Sequence, residues 1–194
     1  MPSVQHPAQQ RVLEAARRKG IELEIVVFSE STHTAEEAAR AVDAELGQIV
    51  KSLVFVAPTE NGLDAVVALV SGSNRVDIAR LAAVVGMPGL RRASADEANA
   101  ETGFVIGGIP PFGHRRALRV IMDPDLTRYT LVWAAAGTPT AVFSVPPGTL
   151  RILANATVAP LAVESGGTTR SGSDLDRGLA TGGGPAPAGA PPGA

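Results

Sequence analysis

Apolar residues recur along this chain at two periods, one helical and one alternating, and the switches between them fall at Gly, Pro and capping residues. Pro7 to Lys19 has helical spacing and stops at Gly20, and Glu22 to Phe28 follows as a first strand. Thr34-Ala-Glu-Glu37 is a capping box that opens a helix through about Val42. Ile49 to Val56 and Leu63 to Val70 are strand-like runs joined across Pro58 to Gly62, where Asn61-Gly62 signals a hairpin, so the two pair antiparallel. Asn74 is placed to cap a helix from Val76 to Val85 that ends at Gly86, and Ser94-Ala-Asp-Glu97 is a second capping box whose helix ends at Gly103. Strands are expected at Phe104–Ile106, Ala117–Met122, Thr130–Ala135 and Thr140–Val145, with a short helix from Pro147. The pattern predicts one α+β domain over residues 1–164, with a mixed, mostly antiparallel sheet curled around a core and flanked by short helices.

One residue breaks the pattern. Lys51 lies inside the run Ile49-Val50-Lys51-Ser52-Leu53-Val54-Phe55-Val56, on the same strand face as Ile49, Leu53 and Phe55. A buried unpaired cation is costly, so the ammonium needs a partner, a lowered pKa, or a cleft that opens onto a ligand. The chain has 15 Arg and only two Lys, Lys19 and Lys51. A lysine here therefore points to a compact point charge where the planar fork of Arg would not serve. Two readings stand at this stage: the side chain snorkels out at a sheet edge, or it lines a cleft.

Composition sets bounds. The 194 residues are 45% hydrophobic and 19% charged, which suits a globular domain of ordinary size, and aromatics at 4% leave the core to Ala, Val, Leu and Ile. The net charge of −2 gives no global attraction to polyanions, though a local basic patch can still guide one. There is no Cys, which removes disulfides, thiolate nucleophiles and Cys-ligated metals and fits a cytoplasmic location. No run approaches 18 apolar residues and the N-terminus has no apolar leader, so neither membrane insertion nor export is expected. From Ser165 to Ala194 there are nine Gly, four Pro and only Leu175 and Leu179 as large apolar residues, the composition of a disordered tail.

Candidate chemistry gathers in the second half. Gly107-Gly108-Ile109-Pro110-Pro111-Phe112-Gly113-His114 combines glycines that allow close backbone approach with prolines that stiffen the path. It matches neither a phosphate loop of the GxxxxGK[ST] kind nor a GxGxxG turn, and it reads equally as a ligand loop or a tight turn between strands. Arg115, Arg116 and Arg119 follow it, with Arg91, Arg92 and Arg128 in the same half, a basic set suited to phosphate contacts or simply to solvation. Ser71-Gly72 ends a strand and precedes a helix, where backbone amides can meet an anion or merely cap. His33 precedes a helix cap and can line a cleft. Three scattered His give no zinc spacing and no serine sits in a G-x-S-x-G context, so no metal, cofactor or hydrolase triad is expected.

Together, His33-Thr34 before an Ala-rich helix, the strand Ile49 to Phe55 with its Lys51, the strand end Leu69-Val-Ser-Gly72, and Thr102-Gly-Phe-Val-Ile-Gly-Gly-Ile-Pro-Pro111 resemble the YbaK/ProX family of aminoacyl-tRNA editing domains, over roughly Arg11 to Val163. The resemblance implies hydrolysis of the ester that joins a wrong, small amino acid (Cys, Ala or Ser) to tRNA, with tRNA(Pro) the leading candidate. It implies the strand lysine at Lys51 and the GxxxP loop at Gly107 and Pro111 with Gly108 between, and these carry the expected catalytic roles of Lys51, Gly107 and Gly108. Candidate substrate contacts are His33, Ser71, Gly72, Ile109, Pro110, Pro111 and His114; candidate tRNA contacts are Arg115, Arg116 and Arg119. The implied partners are the acceptor end of tRNA and a synthetase. Some members carry a Tyr where this chain has Phe28, and an acid where Gly137–Gly148 has neither Asp nor Glu. A non-catalytic tRNA- or synthetase-binding module of the same fold, and a hydrolase of other activated acyl esters, therefore stand as alternatives.

Overall fold

The computed structural model describes residues 6–29 and 34–163; His33 and the expected tail lie outside them. In chain order the elements are α1 (Pro7–Arg17), β1 (Ile25–Val27), α2 (Ala35–Ala41), β2 (Ile49–Thr59), β3 (Gly62–Ser71), α3 (Ile78–Val85), β4 (Arg91–Arg92), α4 (Ala95–Thr102), β5 (Arg119–Met122), β6 (Val132–Ala135), β7 (Ala141–Val145), α5 (Pro147–Ala154) and β8 (Thr157–Val158). The strands form one mixed, open sheet in the order β1-β7-β6-β2-β3-β5-β8, with β4 also paired to β2.

The β2–β3 hairpin is the spine. It is antiparallel from Val50↔Ser71 to Thr59↔Gly62, and β5 then adds to β3 in parallel. Strand alternation sends its side chains into two separate apolar layers. Val50, Val54, Val56, Val67 and Leu69 face one, with α1, α4, α5 and Phe104 to Phe112 packed over them. Phe55, Val66, Ala68 and Val70 face the other, covered by Leu81 and Val85 of α3 and by Leu161. Each fully buried aliphatic side chain contributes about 1.5–3 kcal/mol, so a spine buried on both faces anchors everything attached to it.

The other edge of β2 is covered only at its ends. β6 runs parallel to it at Ile49–Val50, and β4 runs antiparallel at Phe55–Val56. Lys51, Ser52 and Leu53 are left without a strand on that side. Half-covered edges of this kind are where ligands or other chains gain access to a sheet.

Several expected boundaries shift. Asp77, not Asn74, caps α3: its Oδ1 accepts the Arg80 N–H at 3.0 Å, and Asn74 is drawn instead to two carboxylates. Phe104–Ile106 forms no strand, because Phe104 turns into the core while Val105 and Ile106 stay exposed. The first strand is confined to Ile25–Val27. Both capping boxes form as the sequence predicts, Thr34 with Glu37 and Ser94 with Glu97, each such cap worth about 1 kcal/mol.

The α4 box is reinforced from outside. Glu97 accepts two hydrogen bonds from Arg91, at 2.8 and 2.7 Å, and one from the Ser94 N–H. These bonds, the Arg91 guanidinium first, lower the Glu97 pKa to about 2. Because the folded value lies below the unfolded one, the contribution is complete above the unfolded carboxyl pKa and is lost as pH falls through the folded one. Urea denaturation should therefore show stability falling between about pH 4.5 and 2, with a shallower fall for Glu97→Gln; equal slopes would show that the Arg91–Glu97 bonds do not couple to folding.

Candidate functional site

A cavity of about 250 Å³ opens in the gap beside β2. Its floor is Lys51, Ser52 and Leu53; its walls include Ala38 of α2, Trp133 and Ala134 of β6, Arg92 of β4, and Ile106, Gly107 and Ile109 of the glycine loop. The volume lies just below the roughly 300–1,000 Å³ usual for small-molecule pockets, which favours a compact ligand group.

Lys51 does not snorkel into solvent. Its Nζ donates to the Gly72 carbonyl oxygen at 2.9 Å and to the Asn74 carbonyl oxygen. An ammonium has three donors, so one is left without an acceptor among the described residues. Burial is the chief cause that lowers the Lys51 pKa; Glu36 opposes it, and Arg75 and Arg92 add to it. The two carbonyls are themselves held. Gly72 follows Ser71, whose hydroxyl donates to Gly47 O at 2.8 Å, and the Gly72 N–H donates to Ile49 O at 2.7 Å. A Cβ at position 72 would fall 2.2 Å from Leu46 O, so only glycine lets the backbone pass there. The Asn74 side chain donates to Asp123 at 2.9 Å and Asp125 at 2.8 Å, and Asp123 is 2% exposed.

The glycine loop forms the opposite wall. Gly107 has φ +87°, a left-handed backbone that side chains resist, and its N–H has no acceptor among the described residues. Gly108 differs: its N–H donates to Val105 O at 3.0 Å, and a Cβ there would lie 2.7 Å from the Thr138 backbone. Gly107 thus offers a donor to the cavity, whereas Gly108 lets the loop close against Thr138. Ile109, Pro110 and Pro111 are buried, and of the three only Ile109 lines the cavity. His114 is half-buried behind them, its Nε2 2.8 Å from Pro110 O and its ring edge-on to Phe104; desolvation lowers its pKa. Its place is under the loop rather than in the cavity.

The sequence-predicted residues thus separate into groups. Lys51, Gly107 and Ile109 meet in one cavity. Ser71, Gly72, Gly108, Pro110, Pro111 and His114 stand behind them. The basic trio does not form one patch: Arg116 pairs with Glu101 at 2.8 Å, Arg119 donates to Val85 O at 2.6 Å, and Arg115 borders a separate shallow hollow along α4. Arg92, read from the sequence only as one of several cations, lines the cavity itself, as do Ser52 and Trp133. Nothing in the local pattern of β2 or β6 announces that Trp133 stands beside Ile49, because that parallel pairing joins segments about eighty residues apart. Among the described residues no three His, Cys, Asp or Glu stand close enough to hold a metal, and no helix is long and apolar enough to cross a membrane.

Lys51 and the glycine loop line one small cavity, and the chain belongs to the aminoacyl-tRNA editing domain family, whose model matches residues 29–153. Its class is therefore that of the aminoacyl-tRNA deacylases. Among its relatives, the multifunctional Ser/Thr-tRNA deacylase ProXp-y of Escherichia coli is 30% identical over 119 residues, which are 60% of this chain and 70% of that one. EbsC of Enterococcus faecalis, provisionally assigned as a Cys-tRNA(Pro)/Cys-tRNA(Cys) deacylase, is 26% identical over 137 residues, 71% of this chain and 82% of that one. A crystal structure provisionally assigned as a trans-editing enzyme for prolyl-tRNA synthetase is 48% identical, with a TM-score of 0.75 over 82% of this chain and 99% of that one.

The geometry separates the two loop glycines experimentally. At Gly107 an added Cβ meets only Pro139 at 3.7 Å, so Gly107→Ala should cost about 1–2 kcal/mol from its backbone angle alone. Gly108 has no such angle, but a Cβ there would lie 2.7 Å from the Thr138 main chain, so backbone must move. That clash is worth about 1–3 kcal/mol, and Gly108→Ala should be the more destabilising of the two in chemical denaturation. The reverse order would mean that the loop does not lean on Thr138.

Proposed function

We propose that this protein is a trans-editing deacylase that hydrolyses the ester of tRNA charged with a small amino acid, Cys, Ala or Ser, with tRNA(Pro) as the leading carrier. The observation that carries this reading is the pairing of one free Lys51 donor with one free Gly107 N–H across a cavity of about 250 Å³. Cavity walls of Ala38, Ala134 and Trp133 leave room for a short side chain at the ester. The relatives named above as Ser/Thr- and Cys-tRNA deacylases support a small substrate.

The chemistry follows from those groups. A water oxygen, or a ribose hydroxyl or cysteinyl thiol of the substrate itself, attacks the ester carbonyl carbon, and negative charge gathers on the carbonyl oxygen. The Gly107 N–H is the donor for that oxygen, a main-chain dipole held in place by the loop before the charge develops. The C–O bond to the ribose then breaks, and the ribose oxygen takes up a proton. With water as the nucleophile the products are free amino acid and uncharged tRNA; an acyl group taken by the thiol or hydroxyl is hydrolysed by water in a later step, which returns the proton to that sulfur or oxygen. Lys51 holds the sugar-phosphate end of the acceptor strand with its remaining N–H, which fixes the ester against the loop. Gly108, Ser71, Gly72, the two prolines and His114 hold these donors in place. Association with a synthetase belongs to the same reading, supported by the prolyl-tRNA synthetase link of the solved relative.

The test is single-turnover hydrolysis of Ala-, Cys- and Ser-tRNA(Pro), with Pro-tRNA(Pro) as control. Wild type should release one or more of the three and spare the cognate ester. Lys51→Ala should lose roughly 100-fold in rate, the scale for losing the alignment of a reacting group. Binding of the charged tRNAs with no release above the spontaneous rate would instead identify a binding module.

A further inference from the structure

Arg92 is the cation the proposed chemistry leaves unused. It ends β4 opposite Phe55 of β2, and its guanidinium carbon lies over the Phe55 ring, 5.4 Å from the centroid. Its neighbour Arg91 is locked to Glu97, but Arg92 has no carboxylate partner among the described residues. It lines the same cavity as Lys51, whose own partners are neutral carbonyls. Burial lowers the pKa of both groups; Lys51 also feels Glu36 as an opposite charge and, each less strongly, Arg75 and Arg92 as like charges. The half-buried Lys51 and the more exposed Arg92 line one cavity and repel each other, a repulsion that an anion bound between them would relieve. Arg75, exposed just beyond Asn74, adds a third positive charge within electrostatic reach of Lys51.

An aminoacyl ester carries no anion at its reacting end. The nearest negative charge on a charged tRNA is the phosphodiester on the 5′ side of the terminal nucleotide. We infer that Arg92 and Lys51 together form the binding subsite for that phosphodiester, with Arg75 as an outer contact. Arg92 is suited to it: its planar fork can take two phosphate oxygens, while its other face stays stacked on Phe55. Arg116 and Arg119, already bonded within the protein, are not part of this subsite. The inference rests on the deacylase reading and assigns one of its contacts.

The experiment compares two esters of the same amino acid, one on full tRNA and one on adenosine without any phosphate, using the full chain as wild type, Arg92→Ala, Arg92→Lys and Arg116→Ala. Arg92→Ala should raise KM for the charged tRNA about tenfold with kcat little changed, and should flatten the slope of log kcat/KM against log salt by about 0.7, the share of one single-strand phosphate. It should leave hydrolysis of the adenosine ester at the wild-type rate. Arg92→Lys should recover part of the loss, since a phosphate also accepts a point charge, and Arg116→Ala should behave as wild type on both. An unchanged KM and salt slope in Arg92→Ala, or an equal loss on both esters, would overturn the subsite while leaving deacylation by wild type intact. Hydrolysis of neither ester by wild type would overturn the deacylase reading and the subsite with it.

Discussion

The architecture of the site depends on one contact, the Lys51 ammonium held by the carbonyl oxygens of Gly72 and Asn74. A cation on a half-buried strand is tolerated only because main-chain dipoles replace the water it has lost. Those dipoles are fixed by features that otherwise look unrelated. Position 72 has no room for a side chain, Ser71 is tied to Gly47, and Asn74 is anchored by Asp123 and Asp125. The carbonyls take two of the three ammonium protons, and the third has no acceptor among the described residues. A carboxylate partner would have neutralised the charge; carbonyls hold it in place and leave it available to an anion.

The cavity exists because the sheet is incomplete at one place. β3 covers the whole inner edge of β2, while β6 and β4 cover only the two ends of the outer edge. The segment between them is the segment that carries Lys51. Closing the opposite side falls to a loop with little secondary structure of its own, and α1 braces that loop. Arg11 donates to Gly103 O at 2.6 Å and lies over the Phe104 ring, and Gln9 donates to Thr138 at 3.1 Å, against which Gly108 packs. This helix precedes the residues matched by the family's model, yet it ties together both loops that shape the site.

Local signals made much of this legible. The two capping boxes, the hairpin between β2 and β3 and the helix-ending glycines at 86 and 103 all rest on signals a few residues long and form as the pattern predicts, the hairpin turning at Glu60-Asn61 with Gly62 opening β3. The lysine in an apolar run was visible for the same reason, since a charge at a buried strand position is a local conflict that calls for an explanation. What was not legible depends on distant pairing. Asn74 looks like a helix cap until Asp123 and Asp125 arrive beside it from about fifty residues away. Phe104–Ile106 has the composition of a strand but finds no neighbour to pair with. The basic residues were the hardest to sort: Arg91, Arg92, Arg116 and Arg119 look alike in sequence, and only their partners show that Arg92 alone of the four faces the cavity.

The most direct measurement of the central claim is a crystal structure of the full chain with a non-hydrolysable analogue, an alanyl group joined to 3′-amino-3′-deoxyadenosine by an amide. The account predicts that the analogue lies in the gap beside β2, its carbonyl oxygen within hydrogen-bond distance of the Gly107 N–H and its sugar against the free donor of Lys51. An analogue bound in the hollow along α4 beside Arg115, with Lys51 and Gly107 untouched, would contradict it.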